Sequence, residues 1–135
     1  MPTLSNATLS VKLVAGTSNV DITASVKVGF SPQEEALIKL FAPLAPITYS
    51  LRAEMWAEDS GFNGDDDKLF KIGSKSVAAD GTHTFTKRVN RSTLDEDWEG
   101  NDEVYAKFGC TAPSNTGLSL QSATPAKSST ITGNF

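Results

Sequence analysis

Strict alternation of apolar and polar residues over residues 20–30 is the feature that most constrains the fold. In "VDITASVKVGF" every second side chain is apolar, namely Val20, Ile22, Ala24, Val26, Val28 and Phe30. Successive side chains point to opposite faces of a β-strand, so this set lies on one face. The segment therefore predicts a strand with one buried face and one face in water.

Neighbouring segments repeat this pattern and predict further strands. Residues 7–15, "ATLSVKLVA", place Leu9, Val11, Leu13 and Ala15 on one face, and "GTSN" at 16–19 has the composition of a turn, so 7–30 reads as a β-hairpin. Later strands are predicted at 47–57, 68–77, 82–89 and 103–111, with one or two more in the polar tail 112–135. The sequence "AADG" at 78–81 predicts a tight hairpin turn, because Asp-Gly favours positive φ.

One segment has helical rather than strand character. In "SPQEEALIKLFAPLAP", Ser31 is a good N-cap, Pro32 suits the first helical position, and Glu34 completes a capping box. The prolines that follow end any helix after two or three turns. We expect a short helix near 31–42 that crosses from one sheet to another, with a strand through "ALIKLF" as the rival interpretation.

These elements together predict an all-β fold. Seven or eight short strands with one crossover helix are typical of an antiparallel β-sandwich, here a single domain over residues 1–135 with an Ig-like or C2-like arrangement. Cys110 is the only cysteine, which excludes intrachain disulfides, and its place in the alternation predicts a small buried residue. The stretch "NDEVYAKFGC", in which Tyr105 precedes Cys110, resembles immunoglobulin-like domains and implies a sandwich.

Charge and hydropathy exclude several classes of partner. The net charge of −4 and the pI near 4.9 argue against a nucleic-acid partner, which calls for a basic surface. No apolar run is long enough to span a membrane. The start "MPTLSNATLS" has no signal-peptide features, so we expect a cytoplasmic protein or the processed part of an exported one.

Carboxylates are concentrated in two segments. Of the sixteen, eleven are Glu58, Asp59, Asp65, Asp66, Asp67, Asp95, Glu96, Asp97, Glu99, Asp102 and Glu103. If successive strands run up and down, the segments that hold these residues both lie at one end of the sandwich. Such an arrangement resembles the Ca²⁺ sites of C2-type domains, and Ca²⁺ takes six to eight oxygen ligands. The predicted ligands are Asp59, Asp65, Asp66, Asp67, Asp95, Asp97 and Asp102.

The acidic segments also fit two roles that need no metal ion. Solvated charged loops often guard strand edges, and a basic partner could dock on this end of the sandwich. Trp98 lies among the acids of the second segment, where its indole is either a contact for a partner or a plug for the end of the core.

The functional expectation is a non-enzymatic binding module. His83 is the only histidine and sits within a predicted strand, and no nucleophile motif accompanies it. The expected partner is an unidentified protein or a glycan. Trp56, which shares a strand face with Arg52 and Glu54, is the one residue that suggests an aromatic surface for carbohydrate binding. The alternative class is a structural subunit of a larger homo-oligomeric assembly, such as a shell, tail or fibre.

Overall fold

Two antiparallel β-sheets and one short helix form the fold. The computed structural model describes residues 1–58, 66–94, 102–114 and 116–133, and at residues 67, 102 and 133 it describes the backbone alone. In chain order the elements are β1 (Thr3–Leu13), β2 (Asn19–Gly29), α1 (Pro32–Phe41), β3 (Tyr49–Ala57), β4 (Asp67–Val77), β5 (Gly81–Asn90), a 3₁₀ turn (Arg91–Thr93), β6 (Asp102–Thr111), β7 (Ala126–Lys127) and β8 (Ile131–Gly133).

The strands divide into a three-stranded sheet A and a five-stranded sheet B. Sheet A has the order β1-β2-β5, and sheet B has the order β4-β3-β6-β7, with β8 also paired to β6. Each of these strand pairs is antiparallel. The predicted all-β antiparallel sandwich is therefore confirmed. Among the described residues, no helix is long and apolar enough to cross a membrane.

The core lies between the two sheets and consists of the alternating positions that the sequence marks. The six apolar residues of 20–30 are all buried, as are Tyr49, Leu51, Ala53 and Met55 of β3 and Val104, Ala106, Phe108 and Cys110 of β6. Phe30 and Tyr49 meet edge to face with ring centroids 5.1 Å apart. Burial of a large apolar side chain such as Leu51 contributes about 1.5–3 kcal/mol.

Strand β1 differs from its prediction at both ends. It begins at Thr3 rather than at residue 7, and its pairing with β2 is interrupted by a bulge between Ser5 and Thr8, where Asn6 has a φ of 53°. Asn tolerates this left-handed conformation better than most residues. Leu13 is 66% exposed because it ends an edge strand beside the turn, beyond the side chains that pack on the core.

Helix α1 confirms the predicted crossover from sheet A to sheet B, and the rival strand is wrong. The Ser31 side chain accepts a hydrogen bond from the Glu34 amide at 3.2 Å, and Glu34 Oε1 accepts one from the Ser31 amide at 2.9 Å. The other carboxylate oxygen, Oε2, accepts a hydrogen bond from the Tyr49 hydroxyl at 3.4 Å and lies 3.0 Å from the Met1 ammonium. Glu34 thus ties the helix start to sheet B.

The predicted hairpin turn at 78–81 is wrong. Strands β4 and β5 belong to different sheets, so the connection passes from one sheet to the other rather than closing a hairpin. The described residues with positive φ are Asn6, Gly16 and Gly117, and Gly81 is not among them. Asp80 instead accepts a hydrogen bond from the Phe30 amide at 2.7 Å, which fixes the connection beside the end of β2.

Strands β4 and β5 are both edge strands, and their neighbouring edges close one side of the sandwich. The Phe85 ring fills the space above Gly73, where a Cβ would lie 2.8 Å from Phe85 Cδ1. Lys75 and Lys87 lie on the inward faces of these strands, opposite the buried Leu51 and Ile22. Inward-pointing lysines on edge strands oppose pairing with another sheet.

The Glu34 contacts predict a pH-dependent contribution to stability. Burial raises the pKa of Glu34, but the hydrogen bonds from the Ser31 amide and the Met1 ammonium outweigh it, so this pKa falls below its usual 4.5. We expect Glu34→Gln to lower the free energy of unfolding by about 1–2 kcal/mol near neutral pH. The loss should vanish as the pH falls through the folded pKa, because the wild-type carboxyl is then also neutral.

Urea unfolding of Glu34→Gln near neutral pH and well below pH 4.5 measures this difference. Glu35→Gln, in the same turn of α1, is the control for removal of a carboxylate. An equal loss of stability at both pH values would contradict the proposed role of the Glu34 charge.

Candidate functional site

The strand ends that flank the two acidic segments lie together at one end of sheet B. Ala57, the last residue of β3, is paired with Asp67 at the start of β4 and with Val104 near the start of β6. The Glu58 amide donates a hydrogen bond to the Glu103 carbonyl at 2.8 Å. We call this end of sheet B, formed by residues 57–58, 66–67 and 102–103, the acidic pole.

The structure brings some of the predicted metal ligands to this pole. Asp66 lies there, the backbone of Asp67 begins β4, and the backbone of Asp102 begins β6. Asp59, Asp65, Asp95 and Asp97 lie outside the described residues, as does Trp98. In the part of the chain that the structure describes, no group of three or more His, Cys, Asp or Glu side chains could hold a metal ion. The metal site stays a prediction.

Two carboxylates of the acidic pole accept hydrogen bonds from neighbouring hydroxyls. The Tyr105 hydroxyl donates to Asp66 Oδ2 at 2.6 Å, and the Thr130 hydroxyl donates to Glu58 Oε2 at 2.9 Å. Burial and then the bond to Asp66 raise the pKa of Tyr105 well above its usual value. The Tyr105 and Thr130 hydroxyls therefore orient the carboxylates of Asp66 and Glu58 at the acidic pole.

The outer face of sheet B carries mainly positive charge. By register its described side chains include two carboxylates, Glu54 and Glu103, and five cations, which are Arg52, Lys68, Lys71, Lys107 and Lys127. At its edge, Asp66 accepts a hydrogen bond from the outward Tyr105 hydroxyl. Lys68 Nζ lies 2.8 Å from Glu54 Oε2. Burial alone would raise the pKa of Glu54, but the hydrogen bonds from Lys68 and the Trp56 indole N–H lower it by more than burial raises it. The pKa therefore lies below its usual value, and the carboxylate stays charged. We call Glu54 and the five cations, with Trp56 and Tyr105, the cationic face.

Three of these cations are held in place by their neighbours. Arg52 Nη1 donates to the Thr111 hydroxyl at 2.7 Å, and its guanidinium lies against Gly109, where a Cβ would be 2.7 Å from Cζ. Lys107 Nζ is 4.6 Å from the centre of the Trp56 ring, and Lys127 Nζ is 4.7 Å from that of Tyr105. Each contact limits the freedom of a charged side chain.

The sequence predicted that Arg52, Glu54 and Trp56 share one face, and the structure confirms this grouping. The sequence did not reveal that the same face also contains Tyr105, Lys107 and Lys127. The alternation in 103–111 marks the first two as outward, but only the pairing of β3 with β6, and of β6 with β7, brings these residues beside Trp56.

The single cysteine and the single histidine of the chain are both at inward-facing positions. Cys110 is 2% exposed, and burial raises its pKa to about 11, so the thiol is protonated near neutral pH. His83 is paired with the buried Val26, and its Nε2 is buried with no hydrogen-bond partner among the described residues. Burial, and then the charge of Lys75, lower the pKa of His83, so the imidazole is neutral near pH 7.

No protein-family model matches this chain, and no curated protein matches it. Function must therefore be inferred from the acidic pole and the cationic face themselves.

The two tyrosines should titrate abnormally high in the folded protein. Burial and then Glu34 raise the pKa of Tyr49 to about 12, and Tyr105 is shifted in the same direction. Phenolate absorbance of Tyr49→Phe and Tyr105→Phe, each of which retains one phenol, measures the two sites separately. We expect no ionisation near the ordinary pKa of 10.0 while circular dichroism shows the fold intact.

The matched control is the urea-unfolded chain, in which both phenols should ionise near 10.0. Ionisation near that value in either folded variant would show that its hydroxyl is not buried and bonded as described.

Proposed function

We propose that this protein is a non-enzymatic binding module whose acidic pole binds Ca²⁺. The observation that carries the proposal is the backbone hydrogen bond between Glu58 and Glu103, which joins the start of one acidic segment to the end of the other. Carboxylates that are far apart in sequence are thereby held at one end of sheet B. A protonated buried thiol and a histidine with a buried Nε2 support the absence of nucleophilic catalysis.

Electrostatics supports a cation at this pole. Eleven of the sixteen carboxylates belong to the two segments, and two unit charges about 6 Å apart repel by about 1–3 kcal/mol, depending on the effective dielectric. A bound Ca²⁺ would replace this repulsion with attraction, and it accepts irregular sets of oxygen ligands from loops. Tyr105 and Thr130, which orient Asp66 and Glu58, would act as supporting residues of the kind that position metal ligands.

Calcium should therefore stabilise the protein and change its tryptophan fluorescence. Binding to the folded state alone raises stability by about 2.7 kcal/mol when free Ca²⁺ is a hundredfold above its Kd. We expect the melting temperature to rise with the logarithm of Ca²⁺ concentration above the Kd, and Asp97→Asn to weaken binding by about tenfold. Thermal unfolding and fluorescence titrations in metal-free buffer measure both effects.

Glu35→Gln, which removes one carboxylate from α1 at the opposite end of the sandwich, is the matched control and should leave the Ca²⁺ response unchanged. The proposal fails if neither the melting temperature nor the fluorescence changes up to millimolar Ca²⁺. It also fails if Asp97→Asn and Glu35→Gln weaken the response equally.

A second candidate function, a subunit of a homo-oligomeric assembly, is supported by exposed leucines after β2. Leu40 is 67% exposed and Leu44 is 85% exposed, at the end of α1 and just beyond it. Beside them lies a cavity of about 400 Å³ lined by Phe41, Ala45, Pro46, Ile47, Thr116 and Leu118. An apolar surface of this kind, at the end opposite the acidic pole, would be covered when copies associate.

Sedimentation velocity tests this second candidate. We expect the wild-type protein to form a discrete oligomer and the double variant Leu40→Ser with Leu44→Ser to sediment as a monomer, because the apolar contact is lost. Leu13→Ser, which changes a leucine of similar exposure at the other end of the sandwich, should leave the oligomer intact. A wild-type monomer at all concentrations would exclude assembly through this surface.

A further inference from the structure

We infer that the cationic face of sheet B binds an anionic polysaccharide. This face adjoins the acidic pole and shares Tyr105 with it, but polysaccharide binding here does not require Ca²⁺. It narrows the expectation of a glycan partner to one chemical class, which carries sulfate or carboxylate groups along a chain of sugar rings.

The charge of the face is opposite to that of the whole protein. Five cations lie on it with two carboxylates, Glu54 and Glu103, whereas the whole chain carries a net charge of −4. Glu54 is already paired with Lys68, and Glu103 lies at the end of the face that meets the acidic pole. The outer face of sheet A has fewer cations, namely Lys12, Lys27 and Arg88, and Arg88 forms two hydrogen bonds to Asp21, at 2.6 and 3.0 Å. The excess of positive charge on sheet B therefore selects a polyanion.

The cations are positioned before any ligand arrives. Gly109 has no side chain and so leaves the space in which the Arg52 guanidinium lies. The Thr111 hydroxyl accepts a hydrogen bond from one of the five N–H groups of Arg52. The Trp56 and Tyr105 rings hold Lys107 and Lys127 by cation–π contacts. Because these side chains have already lost rotamer freedom, binding an anion costs less entropy than it would at freely moving lysines.

The remaining groups on this face favour a saccharide over other polyanions. Single-stranded nucleic acids stack their bases on open aromatic rings, but Tyr105 is only 3% exposed and Lys107 lies over Trp56. Extended peptides gain affinity at sheet edges, and this surface is a sheet face. Exposed hydroxyls at the α1 end of the face could hydrogen-bond to sugar hydroxyls, namely those of Ser50, Ser74, Ser76 and Thr111.

Calorimetric titration with dextran sulfate, and with neutral dextran as the matched ligand, tests the inference. All titrations contain a metal chelator, so that the result is independent of Ca²⁺ binding at the acidic pole. We expect dextran sulfate to bind with an affinity that falls as salt rises, and neutral dextran not to bind.

Gly109→Ala separates a built site from a merely charged surface, because it displaces Arg52 without removing any charge. We expect it to weaken dextran sulfate binding by about threefold to tenfold, the effect of losing one charge-assisted contact. Thr111→Val removes the hydroxyl that binds Arg52 and should also weaken dextran sulfate binding. It replaces Gly109→Ala in the test if that variant is too unstable to remain folded. The control is Lys27→Gln on the outer face of sheet A, which removes a full charge and should change the affinity less than about twofold.

Three results would overturn the inference. The first is equal affinity for dextran sulfate and dextran, or no binding of either. The second is that folded Gly109→Ala and Thr111→Val bind as tightly as Lys27→Gln. The third is that polyglutamate or single-stranded DNA binds at least as tightly as dextran sulfate, which would assign the face to a different class of polyanion.

Discussion

The inward side chains of β2 pack against those of β3 and β6, and this packing holds the two sheets together. These three strands supply most of the fully buried residues, and β2 and β3 are each flanked on both sides by paired strands. Because side chains alternate along a strand, fixing the inward set also fixes which residues face water. The positions of Arg52, Trp56 and Lys107 on one outer face therefore follow from the burial of Leu51, Met55 and Phe108.

The same alternation separates the charges of the molecule. Most carboxylates belong to segments between strands, whereas many cations lie within strands, so the ends and faces of the sandwich differ in sign. Sheet pairing then concentrates each kind. Antiparallel β3, β4 and β6 bring the described ends of the two acidic segments to one end of sheet B. The alignment of β3 with β6 and β7 lines up three cations on one face. Both proposed sites are consequences of strand register rather than of a local motif.

How far the sequence predicts this structure depends on whether a signal is local. The alternation in 20–30 and the Ser31–Glu34 capping box are local, and both gave the correct element. The connection at 78–81 was misassigned because composition signals a turn without indicating which strands it joins. The bulge at Asn6 and the contacts of Lys107 and Lys127 depend on partner strands, which a single sequence does not reveal. Strand counting alone predicted that the two acidic segments share one end of the sandwich, and their described ends do lie together at one end of sheet B.

The lysines along the adjoining edges of β4 and β5 limit how copies of this protein can polymerise. A strand added beside either edge would have to cover the ammonium groups of Lys75 and Lys87, and burying an unpaired charge costs several kcal/mol. On the opposite edge of sheet A, the bulge in β1 interrupts the row of amides and carbonyls that a new strand would need. Amyloid-like growth by continuous sheet extension is thus opposed along both outer strands of sheet A, whatever ligands the faces and ends of the sandwich bind.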